Sequence, residues 1–388
     1  MEKHSTGVVT CPLAAAGLTP TRNLLNLLYR PSSKTYLVTS GDGCELASEG
    51  SGIKIVPYAH KNADGPVARA ANYIHTQLSI AEKIFRLRDE VDTWVFFIGG
   101  DTLLLPIITS RILGKRAMVL FAGSTSQALR SNNDALYVPL SILSRASTLI
   151  ASDLVIYSDR FIKNYHLGRF KDKVKIESEH HLNFDLFTCK NSIYSRPNKV
   201  AFIGRLGHEK GVLNFLEAIP KVGHDNVEFV IYGDGELRGE VERIAKKLQP
   251  LIKICVKGWA EREDLPRILN DIRLIVIPSY TEGLPNIMLE SMACGAPVLA
   301  NRVGMIEDII IDGETGYLIN DNDASTIASG ITAALSDPRL GEVSEAAEKL
   351  VRQKYSFDKK RKAWEQLMSS ADKGHSSGNF REGQSYRP

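Results

Sequence analysis

Short apolar runs rich in β-branched and aromatic residues alternate along the chain with longer segments of helical periodicity. In the first half, the runs GVVTC, KTYLVTS, GIKIVPYA, TWVFFIG, AMVLFAG and LVIYS predict strands, and the segments between them, such as residues 67–91, predict helices. After Val200 the series starts again with VAFIG, VEFVIYG, IKICVKG, LIVIPS and PVLANR. Strands that alternate with helices predict a parallel sheet that helices cover on both faces. The pattern therefore predicts two doubly wound α/β domains.

The length of the chain also favours two domains, because 388 residues, 43% of them hydrophobic, exceed what one core usually holds. We predict a first domain over residues 1–195 and a second over residues 196–355, joined at the polar, proline-marked segment RPNKV. A helical pattern over residues 356–371 predicts a C-terminal helix that packs back toward the first domain. Residues 372–388 are rich in glycine, serine and charge, which predicts a disordered tail.

The five cysteines are scattered and form no CxxC or Cys/His pattern, so the sequence supports neither a disulfide framework nor a zinc site. No apolar run near the N-terminus resembles a secretory leader, and no run approaches the roughly 18 residues of a membrane span. We therefore expect a protein of the reducing cytoplasm.

Basic residues are concentrated in the first half. Up to Lys190 there are 22 Lys and Arg against 17 Asp and Glu, whereas the remainder has 26 against 28. A solvated surface is the usual reason for so modest an excess, but the excess also suits an anionic or membrane-borne acceptor and peripheral contact with the cytoplasmic face of a membrane. The densest basic stretch, residues 160–175, carries no nucleic-acid motif, so we expect no nucleic-acid partner.

The first loop with candidate chemistry is GRLGHEKG, which follows the strand VAFIG. Arg205 offers a planar fork of donors and Lys210 a compact positive charge, and both suit a diphosphate group. Gly204 and Gly211 permit tight turns and a close approach of the backbone. By itself the loop fits a solvated turn between a strand and a helix equally well.

The second candidate is the segment PSYTEGLPNIMLESMACGAPV, which follows the strand LIVIP. Pro285 suits the first turn of a helix and the residues GAP suit its end, which predicts a short helix over residues 286–294. The N–H groups of Gly283 and Leu284 then stay free at the helix N-terminus, where an anion or a sugar oxygen fits.

Two glutamates, Glu282 and Glu290, lie in this segment. Their spacing suggests the acid/base pair of a hydrolase, but the position after a strand favours carboxylates that accept hydrogen bonds from the vicinal hydroxyls of a ribose and of a sugar ring. A capping Glu282 and a solvated Glu290 are the alternative when the segment is taken alone.

Taken together and in this order, GRLGHEKG, PSYTEGLPNIMLESMACGAPV and VGMIEDIIIDGETGYL resemble the C-terminal signature of family 4 glycosyltransferases of the GT-B fold. The resemblance extends over residues 199–320 and includes VIYGDGE and VKGWAEREDLP. So long an ordered match is more specific than a lone glycine motif. It implies a fold of two Rossmann-like, doubly wound α/β domains that face a central cleft, with the donor site in the C-terminal half.

The resemblance assigns catalytic roles to three residues. Arg205 and Lys210 match the diphosphate-binding pair of the family, and Glu282 matches the glutamate that contacts the donor sugar. Glu290 matches the glutamate that binds the ribose hydroxyls, and Gly204 lies in the same loop as Arg205.

Four further residues are donor-binding by the same resemblance. Gly283 and Leu284 would donate backbone N–H groups to the sugar or the phosphates. Trp259 and Ala260 lie where the family holds the base, largely through the backbone, although the side chain of Trp259 also suits the core.

The first half resembles the family more weakly. Gly17 matches one member of a glycine pair whose amides meet the phosphates, and residues 152–158 fit a structural strand. Where many members carry a histidine near the reacting sugar, this chain has Ser-Thr-Ser-Gln at residues 124–127, which puts a histidine-assisted step in doubt. His180 and His181 suit a packed or solvated linker better than catalysis.

What the resemblance implies is transfer of a hexose from a UDP- or GDP-sugar to an acceptor hydroxyl on a glycan, a glycolipid or a small molecule, with retention and without a metal or any cofactor besides the donor itself. Two other classes stay open. One is a non-catalytic protein that binds a sugar nucleotide, and the other is a GT-B epimerase or phosphorylase.

Overall fold

The computed structural model describes residues 5–29, 34–46, 52–60, 65–121, 137–224 and 226–369. The described chain divides into two compact units. The first contains the residues up to Glu179 together with those from Lys360 onward, and the second contains His180–Lys359. Each unit is a parallel sheet with its own helices, as the alternating pattern predicts.

The first unit is built on a seven-stranded sheet in the order β3-β2-β1-β4-β5-β6-β7. Its strands are β1 Thr6–Thr10, β2 Thr35–Thr39, β3 Ile53–Pro57, β4 Thr93–Phe97, β5 Arg116–Phe121, β6 Asp153–Ile156 and β7 Val174–Ile176. All pairings are parallel, and Val8 of β1 lies opposite Leu37 and Val95. Every residue of β1, β2 and β4 is buried, as expected for central strands that helices cover on both faces.

The helices of the first unit connect these strands. They are α1 Ala15–Leu28, α2 Pro66–Arg86, α3 Leu104–Ile112, α4 Tyr137–Ile150 and α5 Arg160–Asn164.

The second unit is built on a six-stranded parallel sheet in the order β10-β9-β8-β11-β12-β13. Its strands are β8 Lys199–Ile203, β9 Glu228–Tyr232, β10 Ile254–Gly258, β11 Leu274–Ile277, β12 Val298–Asn301 and β13 Tyr317–Ile319. Its helices are α6 Val212–Ala218, α7 Arg238–Leu248, α8 Leu265–Asn270, α9 Asn286–Ala293, α10 Ile306–Ile309, α11 Ala324–Ser336 and α12 Leu340–Tyr355. The N-terminus of α11 is capped by Asp323, whose carboxylate accepts from the N–H groups of Ser325 and Thr326.

The last helix is α13 Phe357–Ser369, and its residues from Lys360 onward belong to the first unit. There Trp364 is fully buried and its Nε1 donates to the Ser178 carbonyl at 3.0 Å. The guanidinium of Arg116 donates to the carbonyls of Leu367 and Met368, which caps the C-terminal end of the helix.

In each sheet the strand order reverses at one pair of neighbours, and ligands of parallel sheets bind outside the carboxyl ends of such a pair. In the first unit the pair is β1 and β4, and in the second it is β8 and β11. The loops after these four strands are therefore where the fold favours a binding site.

The boundary between the units differs from the predicted one, because it lies before His180 rather than after Ser195. The segment RPNKV is not a solvated linker, because its first residue, Arg196, is buried. The guanidinium of Arg196 donates to the carbonyls of Leu269, Ile272 and Cys294. A buried arginine that satisfies several carbonyls fixes this segment to the second unit. The predicted tail, residues 372–388, lies outside the described residues.

Candidate functional site

The loop after β8 carries the two cations that the sequence singles out, and each has a glutamate partner. Arg205 is largely exposed, and its Nη2 lies 2.6 Å from Glu209 Oε1. Lys210 reaches across to the loop after β11, where its Nζ donates to Glu282 Oε1 at 2.7 Å. The structure therefore brings Lys210 and Glu282 together, while Arg205 pairs within its own loop.

Glu282 is held by a second donor that sequence reasoning did not assign. The hydroxyl of Ser279 donates to the same Oε1 atom at 2.7 Å, and Ser279 itself is buried. The side chain of Glu282 is only 9% exposed. A carboxylate with an ammonium and a hydroxyl donor is fixed in position, and its second oxygen can accept a further hydrogen bond.

Two glycines let these loops approach each other. Gly211 has φ +68°, and a Cβ there would lie 2.1 Å from the Pro278 carbonyl oxygen. Gly304 has φ +58°, and its Cβ would lie 2.1 Å from the Glu282 carbonyl oxygen. Any other residue would meet backbone atoms at a φ that side chains disfavour, so both positions require glycine.

Helix α9 begins at Asn286, as predicted, and ends at Ala293, one residue before the predicted end. Its N-cap, Pro285, makes no side-chain capping bond. Within the described part of the chain, the N–H groups of Gly283 and Leu284 have no acceptor, while the Gly283 carbonyl accepts from Met305 at 3.0 Å. Two amide donors are therefore available beside Glu282 for an anion or a sugar oxygen.

Glu290 lies on α9 and is 3% exposed at its side chain. Arg262 Nη1 lies 3.0 Å from Glu290 Oε1, close enough for an ion pair but without hydrogen-bond alignment. The guanidinium of Arg262 also stacks over the ring of Phe187, 5.5 Å from its centroid. Burial raises the pKa of the Glu290 carboxyl, and the charge of Arg262 opposes the rise.

Arg262 is a residue that sequence reasoning missed. It lies in VKGWAEREDLP, three positions after Trp259, and nothing in the local pattern links it to Glu290. The predicted base-binding residues of the same segment are accessible, because Trp259 is 63% exposed and Ala260 is half-buried. The structure therefore excludes the alternative that Trp259 is a core residue.

A cavity of about 350 Å³ adjoins the two loops, and it is lined by His208, Glu209, Gly211, Leu213, Asn214 and Tyr280. Asn214 is fixed in the wall of this cavity by two hydrogen bonds. The Nδ2 atom of Asn214 donates to the Asn322 carbonyl at 2.7 Å and to the Tyr280 hydroxyl at 3.0 Å. Neither Lys210 nor Glu282 lines this cavity.

The first unit holds a second polar group at its own pair of reversing strands. Asp101 follows β4, is 5% exposed, and accepts from the Ser144 hydroxyl at 2.8 Å. Ile98, at the end of the same strand, has φ +39°, which is strained for a β-branched residue. Burial, and then the charge of Asp101, raise the pKa of the Cys11 thiol to about 12. The letters GGD after the run TWVFFI were the available signal for this group.

The predictions for the first unit have mixed outcomes. Helix α1 begins at Ala15, so Gly17 lies in its first turn, and the N–H of Gly17 donates to the Ala14 carbonyl at 2.8 Å. Residues 124–127 lie outside the described residues. His180 is buried, and the ring of His181 packs edge-on against Phe357, which agrees with a packed role for both. Among the described residues, no group of three His, Cys, Asp or Glu could hold a metal ion.

Comparison with known proteins decides the class of the second unit. The model of a family described as glycosyl transferases group 1 matches residues 184–356. The second unit is similar to group 1 glycosyl transferases over almost its whole length, and we call it the group 1 domain. The match covers the loops around Arg205, Lys210, Glu282 and Glu290. The narrower placement in family 4 stays a prediction.

Two relatives share sequence with this chain. An uncharacterized glycosyltransferase of Methanocaldococcus jannaschii is 32% identical over 161 residues, 41% of each chain. A Campylobacter jejuni α-1,4-N-acetyl-D-galactosaminyltransferase, named for a diNAcBac-PP-undecaprenol-linked acceptor, is 28% identical over 278 residues, 68% of this chain and 72% of that protein. The chain thus spans about two fifths of the length of the first of these relatives.

A solved structure extends the likeness to both units. Anabaena HepE in complex with UDP has a TM-score of 0.77 at 15% identity, covering 95% of this chain and 100% of that chain. HepE in complex with UDP-glucose has a TM-score of 0.71 at 16% identity and covers 94% and 99%. This likeness confirms the predicted GT-B class of two Rossmann-like units, of which the group 1 domain is the second.

Proposed function

We propose that the protein is a retaining glycosyltransferase, which moves a hexose from a nucleotide diphosphate sugar to an acceptor hydroxyl without a metal ion. The observation that carries the proposal is the contact of 2.7 Å between Lys210 Nζ and Glu282 Oε1, where β8 and β11 end in a group 1 domain. An ammonium suits a diphosphate and a carboxylate suits sugar hydroxyls, so both parts of such a donor find a partner at one point.

The comparisons support the choice of substrates. HepE has been crystallised with UDP and with UDP-glucose, which favours a UDP-sugar over a GDP-sugar as the donor. The Campylobacter relative is named for an undecaprenol-linked acceptor, which favours a lipid-linked glycan over a small molecule. The group 1 domain is expected to hold the donor, and the first unit is expected to hold the acceptor.

In the proposed reaction the bond between the anomeric carbon and the diphosphate oxygen breaks while the acceptor oxygen bonds to the same face of that carbon. The acceptor proton passes to the departing phosphate oxygen. Charge therefore develops on the diphosphate, and fixed donors that meet it there lower the barrier. Arg205, Lys210 and the N–H groups of Gly283 and Leu284 are the donors that this chain offers, and together they supply the countercharge that a metal supplies elsewhere.

The two glutamates have separate tasks in this proposal. Glu282, fixed by Lys210 and Ser279, orients the donor sugar through its remaining hydrogen-bonding capacity and forms no covalent bond. Glu290 accepts hydrogen bonds from the ribose hydroxyls, and the charge of Arg262 opposes the rise that burial causes in its pKa. Gly204, Trp259 and Ala260 are proposed to border the nucleotide, and Gly17 stays a predicted phosphate contact.

The test is a thermal-shift titration with UDP-, GDP-, ADP- and CMP-sugars, with and without EDTA, followed by a transfer assay with the donor that binds. A ligand at a hundred times its Kd stabilises the folded state by about 2.7 kcal/mol. We expect stabilisation by a UDP-sugar that EDTA does not alter. NMR of the glycoside formed then reports whether the anomeric configuration is retained.

Arg205→Ala is the decisive variant, and Arg243→Ala is its matched control, because Arg243 is also exposed and paired with a glutamate on the same unit. Loss of the shift in the first variant alone supports the donor site. Binding without transfer or hydrolysis, whatever the acceptor, would favour the non-catalytic class. Sensitivity to EDTA would contradict the metal-independent reaction.

A further inference from the structure

Three helices of the first unit form one layer. Helix α3 packs against both α2 and α4. The connections from β3 to β4, from β4 to β5 and from β5 to β6 all cross the sheet in the same direction. Because such crossovers are right-handed, the three helices lie on the same face of the sheet. Their side chains that point away from the sheet therefore share one outer surface, which we call the α2–α4 face.

Large apolar side chains stand on this surface instead of polar ones. On α2 they recur at intervals of seven, four and seven residues, which places them along one side of the helix. The other side of α2 is the one that packs, since Ile80 and Ile84 are fully buried. Val67, at the start of α2, is 82% exposed, and seven others on the three helices are more than half exposed: Ile74, Leu78, Phe85, Ile112, Val138, Ile142 and Leu149.

An apolar group of this size is unusual on a protein surface. Exposed hydrophobic residues are normally scattered singly, whereas contiguous patches mark an interaction site. The second unit shows the ordinary case, in which exposed residues such as Leu251 and Ile311 lie in separate loops. The α2–α4 face therefore needs a partner that covers apolar side chains.

The charges around the face indicate the chemistry of that partner. The three helices carry five basic residues and one acidic residue, Glu82. Residues 160–175, which follow α4 by way of β6, add six basic residues and one acidic residue. Lys173 fastens this segment to the end of α4, because its ammonium donates to the carbonyls of Leu149 and Ala151. A cavity of about 690 Å³ in the same segment is lined by Asp159, Ile162, Lys163, His166, Gly168, Arg169 and Lys171.

We propose that the α2–α4 face docks onto an anionic lipid bilayer. Its apolar side chains enter the boundary between headgroups and acyl chains, and the basic residues around them meet the lipid phosphates. An apolar surface bordered by excess positive charge matches a bilayer of negative surface charge better than it matches a second copy of itself, which carries the same charge. No described helix is long and apolar enough to cross a membrane, so this contact lies in the plane of the interface. The inference does not depend on the transferase activity.

The test is co-sedimentation of the full chain with vesicles of phosphatidylcholine alone or of phosphatidylcholine mixed with phosphatidylglycerol. The wild type is expected to sediment with the anionic vesicles and to be released by salt. The double variant Ile74→Glu and Leu78→Glu should need about tenfold more lipid for the same bound fraction. Both side chains are exposed, so thermal unfolding of the variant should match that of the wild type.

The matched control is the double variant Leu251→Glu and Ile311→Glu, which places the same charges at exposed positions of the second unit. It should bind as the wild type does. A third variant, Lys163→Glu and Lys171→Glu, should lose binding to the anionic vesicles only. The proposal is overturned if the wild type does not bind anionic vesicles. It is also overturned if Leu251→Glu with Ile311→Glu weakens binding as much as Ile74→Glu with Leu78→Glu does. Light scattering that reports a lipid-free dimer, which Ile74→Glu and Leu78→Glu dissociate, would instead assign the face to self-association.

Discussion

The two units place a carboxylate at equivalent points of their sheets but surround it differently. In the group 1 domain, Glu282 follows β11 and is paired with the ammonium of Lys210. In the first unit, Asp101 follows β4 and accepts from the hydroxyl of Ser144. A cation beside a carboxylate can turn toward an anionic ligand, and a hydroxyl supplies no such charge. The contact in the group 1 domain therefore suits the charged donor that we propose for it.

The chemistry around each carboxylate follows from this difference. Near Asp101, burial raises the pKa of the Cys11 thiol and of the Tyr73 hydroxyl, and the negative charge of Asp101 adds to both shifts. These groups stay neutral at physiological pH. The loops of the group 1 domain instead expose Arg205 and part of Lys210. The comparison therefore predicts that substitutions in the two units affect different measurements.

The largest expected effect is on turnover. Glu282→Gln keeps the size of the side chain but removes the charge that meets Lys210 and the donor sugar. We expect kcat to fall by about 10²–10³-fold, the usual loss when one preorganised polar contact to the transition state is removed. The measurement is the initial rate at saturating donor, with the unfolding midpoint as the control. Turnover at the wild-type rate would refute the role of Glu282.

Asp101→Ala tests the other side of the comparison. The half-buried hydroxyl of Ser144 would lose this acceptor, so the first unit should lose about 1 kcal/mol of its free energy of unfolding. Asp159→Ala is the control, because Asp159 is exposed in the same unit. This variant should change the free energy of unfolding by less than about 0.5 kcal/mol. Denaturant titration measures both. Binding of the nucleotide sugar should be unchanged in Asp101→Ala. A loss of donor affinity would contradict the proposal that the group 1 domain holds the donor and the first unit the acceptor.

Gly304→Ala should move the Glu282 loop without changing any charge. The alanine Cβ would collide with the carbonyls of Glu282 and Gly283. We expect the free energy of unfolding to fall by about 2 kcal/mol or more, and we expect the donor to bind more weakly. Gly114→Ala is the matched control, since Gly114 has φ +72° but no atom lies within 4 Å of its Cβ position. The free energy of unfolding of this control variant should fall by only about 1 kcal/mol. Equal losses would show that the collision is relieved by local movement.

The smallest effect concerns the pH dependence of stability. Burial raises the pKa of Glu290 above its value in the unfolded chain, about 4.3. The stabilisation contributed by the protonated form is therefore fully present below that value and is lost as pH rises through the folded pKa. Glu290→Gln should leave stability at neutral pH the same or higher, by less than about 1 kcal/mol.

The check is a series of denaturant midpoints from acid to neutral pH, in which the midpoint of Glu290→Gln should rise with pH relative to that of the wild type. The same variant should bind UDP more weakly, so its stability and its affinity move in opposite directions. A pH dependence identical to that of the wild type would mean that Arg262 cancels the burial of Glu290.

Much of the fold could be predicted from local pattern. The runs VAFIG, VEFVIYG and LIVIPS became β8, β9 and β11, because a continuous apolar run is what a strand buried on both faces requires. Helices α11 and α12 were not predicted, because the segment that resembles the family ends at residue 320, before both helices. The segment RPNKV misled the prediction of the boundary because its polarity is satisfied internally through Arg196.

The sequence by itself determined most of the elements, the two parallel sheets and the chemical groups in the loops after β8 and β11, because period and motif are local properties of the chain. Only the tertiary structure decided which groups meet. Lys210 and Glu282 are 72 positions apart and pair because β8 lies beside β11, and Arg262 also meets a distant residue, Glu290. Asp101 became a buried group because β4 lies beside β1. Strand order is fixed by packing between distant segments, and no local pattern of residues specifies it.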